Sequence, residues 1–410
     1  MAVFADAWSA SGGTLVGLAP SAVAAGELGE STGIPSTTIA AFLLRPDAVD
    51  ADTMILIDEA GMASTRDLDA VVQIALAAGA SVRLVGDDQQ LASVQAGGVL
   101  RDIAAEVGSV SLTELMLFSD PAEGAATLAV RDGEHSALGF YLDRGRVHVA
   151  DSTALAPTVV DAWLNDRQQG RDAIMMAFST ELVTQMNSMA RSHRLAAGEV
   201  SEAVTTRLRS GLDAGVGDVI LTRRNDRRTR TSRSDWVKNG DRWEVRDVQE
   251  DGSLIVAHLK TGRLTTLGAG YVAAHVDLGY ATTIHAAQGV TADSTHTLLS
   301  GSESRQLLYV ALSRGRMANM MYLTTSGQGD PHDVLKPDHI APLTATDVLQ
   351  GILDRDGSQR SARTEQREAS QAGVQLATAA ARYQDAVDAA TANVLGAEYL
   401  AQMEAAAERA

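Results

Sequence analysis

The sequence predicts an α/β fold with two doubly wound parallel sheets, a small all-β insertion and an Ala-rich helical tail. Short apolar runs alternate with Ala-rich helical stretches in the first third of the chain, and the alternation returns near Ala173. This βαβ pattern is typical of parallel sheets. Between residues 217 and 272 the pattern changes to period two with Asp-Gly and Thr-Gly turns, which indicates antiparallel strands.

The first unit is predicted over residues 1–135, with strands in TLVGLAP, TMILIDEA and SVRLVGD. The second run leads into Asp58 and Glu59, so both carboxylates fall at the carboxyl end of a parallel sheet, where such folds bind ligands. The pair suits a nucleotide–magnesium site, in which Asp58 holds Mg²⁺ and Glu59 orients and deprotonates the attacking water. The alternative is that the pair only caps the following helix.

The third strand run repeats this design. RLVGDDQQL places Gly86 and Asp87 directly after a strand and Gln90 in the polar loop that follows. A glutamine there can hydrogen-bond a terminal phosphate without adding charge, and so respond to its presence. The alternative is an ordinary Gly-Asp turn. A second strand end with phosphate-compatible groups beside the first favours the nucleotide site.

The second unit is predicted over 136–216 and 273–340, on either side of the insertion at 217–272, and a linker and helical tail follow over 341–410. Its main runs are DAIMMAFS, GYATTIHAAQG, LLYVALSRGR and NMMYLTT. The tail is Ala-rich with a thin apolar stripe, which favours a helix or two.

Two turns of the second unit carry candidate functional residues. Thr283, His285, Gln288 and Gly289 are predicted on a strand-to-helix turn, where hydrogen-bond donors could face a ligand or a DNA strand. Taken alone, His285 would more often be a satisfied core or surface histidine. Arg314 is predicted after a strand–helix junction and could supply the planar cation that stabilises charge in phosphoryl transfer. Its alternative is a surface salt bridge.

The net charge of −18 is unfavourable for a nucleic-acid partner, but a protein that tracks a single strand needs only a local basic channel. The run TRRNDRRTRTSR, which begins with Arg223 and Arg224 after its threonine, is the candidate for that channel. The alternative is a solvated arginine-rich loop. Cysteine is absent and no long apolar run occurs, so we expect a cytoplasmic protein without disulfides or a membrane-spanning segment.

Four strings, in this order, resemble motifs II, III, V and VI of superfamily 1 DNA helicases: LIDEAGM, GDDQQL, TIHAAQGVTAD and YVALSRGR. These variants are most similar to the RecD-like helicase half of conjugal-transfer relaxases of the MobF class, which are TraA-like. GLAPSAVAAGEL resembles motif Ia, and the insertion at 217–272 resembles the SH3-like subdomain of this family. The resemblance covers about residues 1–350.

The resemblance implies two RecA-like domains of the P-loop NTPase type that close on ATP and step 5′ to 3′ along single-stranded DNA. By residue, it implies that Asp58 binds Mg²⁺, that Glu59 acts on water, and that Gln90 and Arg314 contact the γ-phosphate from opposite domains. Gln288 and Gly289 would couple nucleotide to DNA, and Gly86 and Asp87 would line the nucleotide site. The implied DNA contacts are Pro20, Ser21, Thr283 and His285, joined by the arginine-run residues Arg223 and Arg224. The implied partners are single-stranded DNA and other conjugative-transfer proteins.

The sequence departs from the family pattern at two places. The 410 residues contain no G-x-x-x-x-G-K-[ST] loop, which in the family lies just upstream of the helix that FADAWSASGG resembles and holds the β- and γ-phosphates. Without the strand that leads into that loop, we expect unpaired or rearranged strands in the first sheet. Leu117 stands where the family usually has an arginine. The relaxase domain of the family, with its nicking tyrosine and histidine-bound metal, is also not found, so no metal beyond Mg²⁺ is implied.

Two functions therefore remain open. The first is an ATP-dependent DNA helicase or translocase segment of a conjugative relaxase. The second is a catalytically inactive helicase remnant that at most binds single-stranded DNA or a conjugation partner. A nucleotide-driven regulator without a DNA partner fits the motif Ia and V strings poorly.

Overall fold

The computed structural model describes residues 2–46, 49–87, 98–110, 117–232, 235–288, 290–325 and 343–357, together with a few residues between 366 and 387. The elements up to residue 143 are α1 (Ala2–Ala10), β1 (Thr14–Ala19), α2 (Ala22–Thr32), β2 (Ser36–Thr38), α3 (Ile39–Leu44), β3 (Thr53–Ile57), α4 (Thr65–Ala78), β4 (Ser81–Leu84), α5 (Val99–Val107), α6 (Pro121–Asp132) and α7 (Ala137–Asp143). Those up to residue 248 are β5 (Val147–Val149), α8 (Ser152–Gln168), β6 (Ala173–Ala177), α9 (Thr180–Ala196), β7 (Thr205–Arg207), β8 (Asp213–Gly215), β9 (Val219–Thr222), β10 (Asp226–Arg230), β11 (Trp236–Val237) and β12 (Arg242–Val248). The remaining elements are β13 (Leu254–His258), β14 (Leu264–Leu267), α10 (Ala269–His275), β15 (Val276–Leu278), β16 (Ala281–Thr283), β17 (Ala292–Leu298), α11 (Arg305–Leu312), β18 (Gly315–Leu323) and α12 (Ala345–Asp354).

The first unit is a parallel sheet with the strand order β2-β1-β3-β4. β3 is buried along its whole length, as expected for an apolar run with strands on both sides. β3 pairs directly with both β1 and β4. The short strands β2 and β4 form the edges of this sheet.

Helix α4 shows how local sequence sets the bounds of these elements. The Ser64 hydroxyl accepts a hydrogen bond from the backbone N–H of Asp67 and caps the first turn. The helix ends at Gly79, whose φ of 73° is the left-handed conformation that favours glycine. Leu68, Val71 and Ala75 face the sheet from one side of the helix and are buried. The cap signals and the spacing of apolar residues therefore predict the same segment.

The second unit is also a parallel sheet, with the order β16-β6-β17-β18-β5. Its central strand β17 has the sequence ADSTHTL, which carries buried polar residues instead of an apolar run. One of them, His296, lies between the Asp166 carboxylate (Nε2 to Oδ2, 3.0 Å) and the Tyr322 hydroxyl (Nδ1 to Oη, 2.9 Å). Ser294 donates a hydrogen bond to the same Asp166 oxygen at 2.5 Å. A buried hydrogen-bond network thus replaces apolar packing in this strand.

The observed order of elements around Arg314 corrects the predicted one. LLYVAL forms helix α11, and Arg314 lies between the end of this helix and the start of β18, so the junction runs from helix to strand. The hydrophobic run was ambiguous because α11 is buried on all sides, which removes the helical period from its sequence.

The insertion forms an antiparallel sheet with the order β14-β13-β12-β9-β15, accompanied by the hairpins β7–β8 and β10–β11. Trp243, Val245 and Leu254 are buried inside it. The sheet continues through β15 to Leu278, past the predicted end of the insertion at residue 272, because β15 pairs with β9. We call residues 205–278 the barrel.

The barrel contacts the first unit as well as the second. Lys260 Nζ lies 3.2 Å from Glu27 Oε1 on helix α2. On the same helix, Gly26 leaves room for Lys238, whose Nζ lies 2.9 Å from the position that a Cβ on Gly26 would occupy. Away from the barrel, α6 packs against α7 and α11 of the second unit.

Among the described residues, the helices are too short or too polar to span a lipid bilayer.

These sheets confirm the predicted α/β class with a small all-β insertion.

Candidate functional site

Asp58 and Glu59 follow β3 at the carboxyl end of the first sheet. The Asp58 N–H donates to the Leu18 carbonyl (2.8 Å), which continues the β1–β3 ladder by one residue. Asp58 Oδ1 accepts the backbone N–H of Glu59 at 3.0 Å. Glu59 has φ 52° and is the one non-glycine residue with positive φ in the described part of the chain. Such strained backbone is commonest at functional sites, where the surrounding structure holds it.

The loop after β4 lies directly against the Asp58–Glu59 turn. Ala60 N–H donates to the Val85 carbonyl at 2.9 Å. A Cβ on Gly86 would lie 2.9 Å from the Ala60 nitrogen, and a Cβ on Gly61 would lie 2.8 Å from the Asp87 carbonyl oxygen. Both glycines are therefore required by the close approach of the two turns. The approach brings Asp87 beside the Asp58–Glu59 pair.

The second unit meets this edge through α11 and the residue that follows it. The Tyr309 hydroxyl donates a hydrogen bond to Asp87 Oδ2 at 2.7 Å, across the two units. Arg314 is held in place by its own helix: Nε donates to the Val310 carbonyl (3.1 Å) and Nη2 to the Ser313 hydroxyl (2.8 Å). Its Nη1 has no acceptor among the described residues. Arg314 thus keeps a donor available beside the carboxylates of the first unit.

Burial at this interface shifts the pKa values of its charged groups. Burial raises the pKa of Asp58. Burial also raises the pKa of Glu59, and the negative charge of Asp58 raises it further. Burial also lowers the pKa of Arg314, while the carboxylates of Glu59 and Asp87 act in the opposite direction. Three acidic groups and one arginine therefore share a desolvated space, in which electrostatic interactions are stronger than in water.

The strand-to-helix turn after β16 carries the next group of predicted residues. Thr283 Oγ accepts the Ala286 N–H at 3.3 Å, and a short 3₁₀ turn follows over His285–Ala287. His285 is exposed, whereas Gln288 is half-buried and its Nε2 donor has no hydrogen-bond partner in the described structure. Gly289 and Gln90 lie outside the described residues.

The comparisons with known proteins agree with the four ordered motifs. Residues 1–152 match the family described as AAA domain, and residues 206–277 match the family described as Rv2311 SH3-like barrel domain. The conjugal transfer protein TraA of Rhizobium radiobacter is 32% identical over 333 residues, which are 78% of this chain and 29% of TraA. The RecD subunit of the RecBCD enzyme of Mycolicibacterium smegmatis is 27% identical over 64% of this chain and 48% of RecD.

These matches agree with the resemblance to the RecD-like superfamily 1 helicase region of TraA-type proteins. The matched part of the chain corresponds to 29% of the length of TraA. Among solved structures, Bacteroides Pif1 bound to single-stranded DNA is similar at a TM-score of 0.47 and 17% identity, covering 78% of this chain and 84% of that one.

The remaining predicted residues lie at the end of β1 and in the barrel. Ser21 caps helix α2 by accepting the Ala24 N–H at 3.1 Å, and Pro20 precedes it at the end of β1. Arg223 and Arg224 are in the barrel. Arg223 Nε donates to Asp277 Oδ2 at 3.0 Å, and Arg224 Nη1 lies 3.1 Å from His275 Nε2.

Sequence reasoning missed Tyr309, although it lies in the same motif string as Arg314. The electrostatic influence of Asp87 and Tyr309 on Arg131 shows that this helix α6 residue is also near the interface. A tyrosine within an apolar helical run is indistinguishable from a core residue until its hydroxyl partner is known. Arg131 lies far from every motif in the sequence.

Proposed function

We propose that the chain is the motor region of an ATP-driven translocase on single-stranded DNA, acting in conjugative transfer. The observation that carries this proposal is the meeting of Asp58, Glu59 and Asp87 from one unit with Arg314 from the other. Acids that bind a metal–nucleotide complex on one side and a buried arginine on the other are what phosphoryl transfer between two domains requires.

The residue of this site that would hold magnesium is Asp58. Magnesium, when bound with ATP, neutralises charge on the phosphates. Asp58, whose Oδ1 accepts the Glu59 N–H, would hold it. No group of three or more acidic, histidine or cysteine side chains that could hold a metal occurs among the described residues.

Separate residues would accept the proton of the attacking water and contact the γ-phosphate. Glu59, whose pKa is raised by burial, is suited to accept a proton from the attacking water. Arg314 would donate from Nη1 to the γ-phosphate, Gln90 would contact the same phosphate, and Gly86 and Asp87 would line the site. The unpaired Nε2 of Gln288, next to Gly289, would transmit the presence of nucleotide to the DNA path.

Single-stranded DNA would cross both units with 5′ to 3′ movement. The residues proposed to contact it are Pro20, Ser21, Thr283, His285, Arg223 and Arg224. Ser21 offers its remaining donor at the positive end of α2, which suits a phosphate, and Thr283 faces the barrel.

Binding of a fluorescent ATP analogue with Mg²⁺ tests the nucleotide site. We expect Arg314→Gln to weaken binding about tenfold, since it removes a charged hydrogen-bond donor from a desolvated site. Arg316→Gln is the matched control, because Arg316 is exposed and pairs with Asp293 at 2.7 Å. Equal affinities of the two variants, or no binding by the wild-type chain, would reject the proposal.

A second candidate is a chain that binds DNA but does not hydrolyse ATP. Leu117, in place of the arginine expected there, favours it, because one phosphate contact is lost.

A further inference from the structure

Strand β18 begins at Gly315, the residue that follows Arg314, and the side chain of Asn319 binds both backbone groups of this glycine. The Gly315 N–H donates to Asn319 Oδ1 at 2.8 Å, and Asn319 Nδ2 donates to the Gly315 carbonyl at 3.0 Å. A Cβ on Gly315 would lie 2.5 Å from the Ala318 carbonyl oxygen and 2.7 Å from Asn319 Oδ1. Glycine is therefore required for this close approach.

Strand β18 is irregular where Asn319 binds it. Ala292 of β17 pairs with Gly315, but Ser294 pairs with Ala318, so β18 has one residue more than β17 between the two pairs. Such a bulge interrupts the ladder and changes the direction of the backbone. The Asn319 amide thus supplies hydrogen bonds at the place where the ladder is interrupted.

The Asn319 amide is itself fixed by two buried partners. Thr295 Oγ1 donates to Asn319 Oδ1 at 2.9 Å. Glu123 Oε1, on helix α6, accepts the backbone N–H of Asn319 at 3.0 Å and its Nδ2 at 2.9 Å. All three residues are 0% exposed. Because the amide donates two hydrogen bonds and accepts two, its orientation is fully determined.

Glu123 is an unfavourable residue for this buried position. Its Oε2 has no hydrogen-bond partner in the described structure and lies 3.7 Å from Arg146 Nη2. Burial raises the pKa of Glu123, and the hydrogen bonds from Asn319 act in the opposite direction. A buried carboxylate with an unsatisfied oxygen lowers stability relative to an apolar side chain. Stability alone therefore does not account for Glu123, whereas exact placement of the Asn319 amide does.

Arg314 lies between the end of α11 and this network. On the helix side, its Nε and Nη2 donate to the Val310 carbonyl and the Ser313 hydroxyl. On the strand side, the next residue is Gly315, which Asn319 holds. The direction in which the guanidinium group extends toward the first unit is thus set by both sides.

We propose that Asn319, supported by Glu123, is a positioning residue for Arg314: it fixes Gly315 and thereby the place where the guanidinium group meets the terminal phosphate of a nucleoside triphosphate. The inference rests on the proposed function. Because only the triphosphate has a γ-phosphate, loss of Asn319 would weaken binding of the triphosphate and leave binding of the diphosphate unchanged. A network that only stabilised the sheet would not distinguish the two nucleotides.

The test compares the dissociation constants of fluorescent ADP and of a fluorescent non-hydrolysable ATP analogue, each with Mg²⁺, for the full chain. Asn319→Ala removes both hydrogen bonds to Gly315. It is expected to weaken binding of the ATP analogue about fivefold and to change ADP binding by less than about twofold. In an Arg314→Gln background the same substitution should change either affinity by less than about twofold, because the guanidinium group that it displaces is no longer present.

Asn187→Ala is the matched control. Asn187 is 3% exposed, and its amide likewise holds backbone groups of the second unit. It accepts the N–H groups of Tyr280 and Ala281 at 3.0 and 2.9 Å and donates to the Ala281 carbonyl at 3.1 Å. We expect its substitution to lower stability in urea unfolding as Asn319→Ala does, without changing the ratio of the two dissociation constants.

Two substitutions on α6 decide the question if Asn319→Ala does not fold. Glu123→Gln is the conservative variant, because it retains an Oε1 acceptor for Asn319, and it is expected to keep the wild-type ratio. Glu123→Ala removes that acceptor and should lower the preference for the ATP analogue about threefold.

Equal ratios for Asn319→Ala and Asn187→Ala would overturn the inference while leaving the proposed function intact. Equal effects of Glu123→Gln and Glu123→Ala, or additive losses for Asn319→Ala and Arg314→Gln, would also overturn it. If Arg314→Gln itself leaves the ratio unchanged, or the wild-type chain binds neither nucleotide, the proposed function fails and this inference fails with it.

Discussion

Glu59 is the residue whose backbone and side chain are both held in an unfavourable state. Its φ is 52°, and burial raises the pKa of its carboxyl group above 4.5. The Glu59 side chain has no capping role, since the neighbouring helix α4 is capped by Ser64. Strained backbone of this kind is expected at a residue whose position serves a reaction at the expense of stability.

The raised pKa of Glu59 predicts how stability depends on pH. A carboxyl group with a raised folded-state pKa stabilises the fold when protonated, and this stabilisation is lost as pH rises through the folded pKa. We therefore expect Glu59→Gln to be more stable than wild type at neutral pH and to lose its advantage as the pH falls to about 4.5. Thermal unfolding across this pH range measures the difference.

Glu30→Gln serves as control for the Glu59 prediction, because Glu30 is exposed on α2 and its substitution should leave the pH profile unchanged. A wild-type chain that is more stable than Glu59→Gln at neutral pH would contradict the prediction.

At the scale of elements, the junction of the two units depends on α11. This helix carries Tyr309 to Asp87 and ends just before Arg314. The hydrogen bond therefore joins Asp87, which follows β4, to α11. A nucleotide that binds at Arg314 would act on the same pair of elements.

The Tyr309–Asp87 hydrogen bond should contribute measurably to the junction. A double-mutant cycle of Tyr309→Phe and Asp87→Ala is expected to give a coupling of about 1.5 kcal/mol in urea unfolding, the lower range for a hydrogen bond to a charged group. The cycle is needed because Asp87 makes further interactions. Additive single effects would show that the bond does not join the units in solution.

Elements also differ in how far the sequence predicts them. β3 was predictable because its apolar residues are buried on both faces, and the period-two pattern correctly indicated the barrel strands. β17 was not recognisable, because it carries buried polar residues, two of which, His296 and Ser294, are hydrogen-bonded to Asp166, a partner distant in sequence. α11 was ambiguous because burial on all sides hides the helical period.

For the whole molecule, the expected activity follows from the sequence of the 410 residues. A polypeptide of these residues contains no G-x-x-x-x-G-K-[ST] loop, and Leu117 removes a further cation. We expect such a polypeptide by itself to show little or no DNA-stimulated ATP hydrolysis, because the loop that would hold the β- and γ-phosphates for the proposed motor is not among its residues, and we expect it still to bind single-stranded DNA. Phosphate release with and without oligothymidylate measures this. Robust turnover that Glu59→Gln abolishes would refute the expectation.

The sequence by itself determined the class of fold and the edge of the candidate site. Parallel alternation places Asp58, Glu59, Gly86 and Asp87 at neighbouring strand ends, because the carboxyl ends of parallel strands meet at one edge. The hydrophobic period and the cap residues involve residues that are close together in the chain, so a single sequence is enough to recognise them. The roles assigned to these residues stay predictions.

Only the tertiary structure decided what faces that edge and what holds the residue next to Arg314. Tyr309 meets Asp87, and Asn319 meets Glu123, across 222 and 196 residues respectively. Such contacts depend on strand order and on how separate units pack, and no local pattern in the sequence encodes them. The same physical reason explains why Arg314 was selected from its motif string while Asn319, a lone asparagine in a strand, was not.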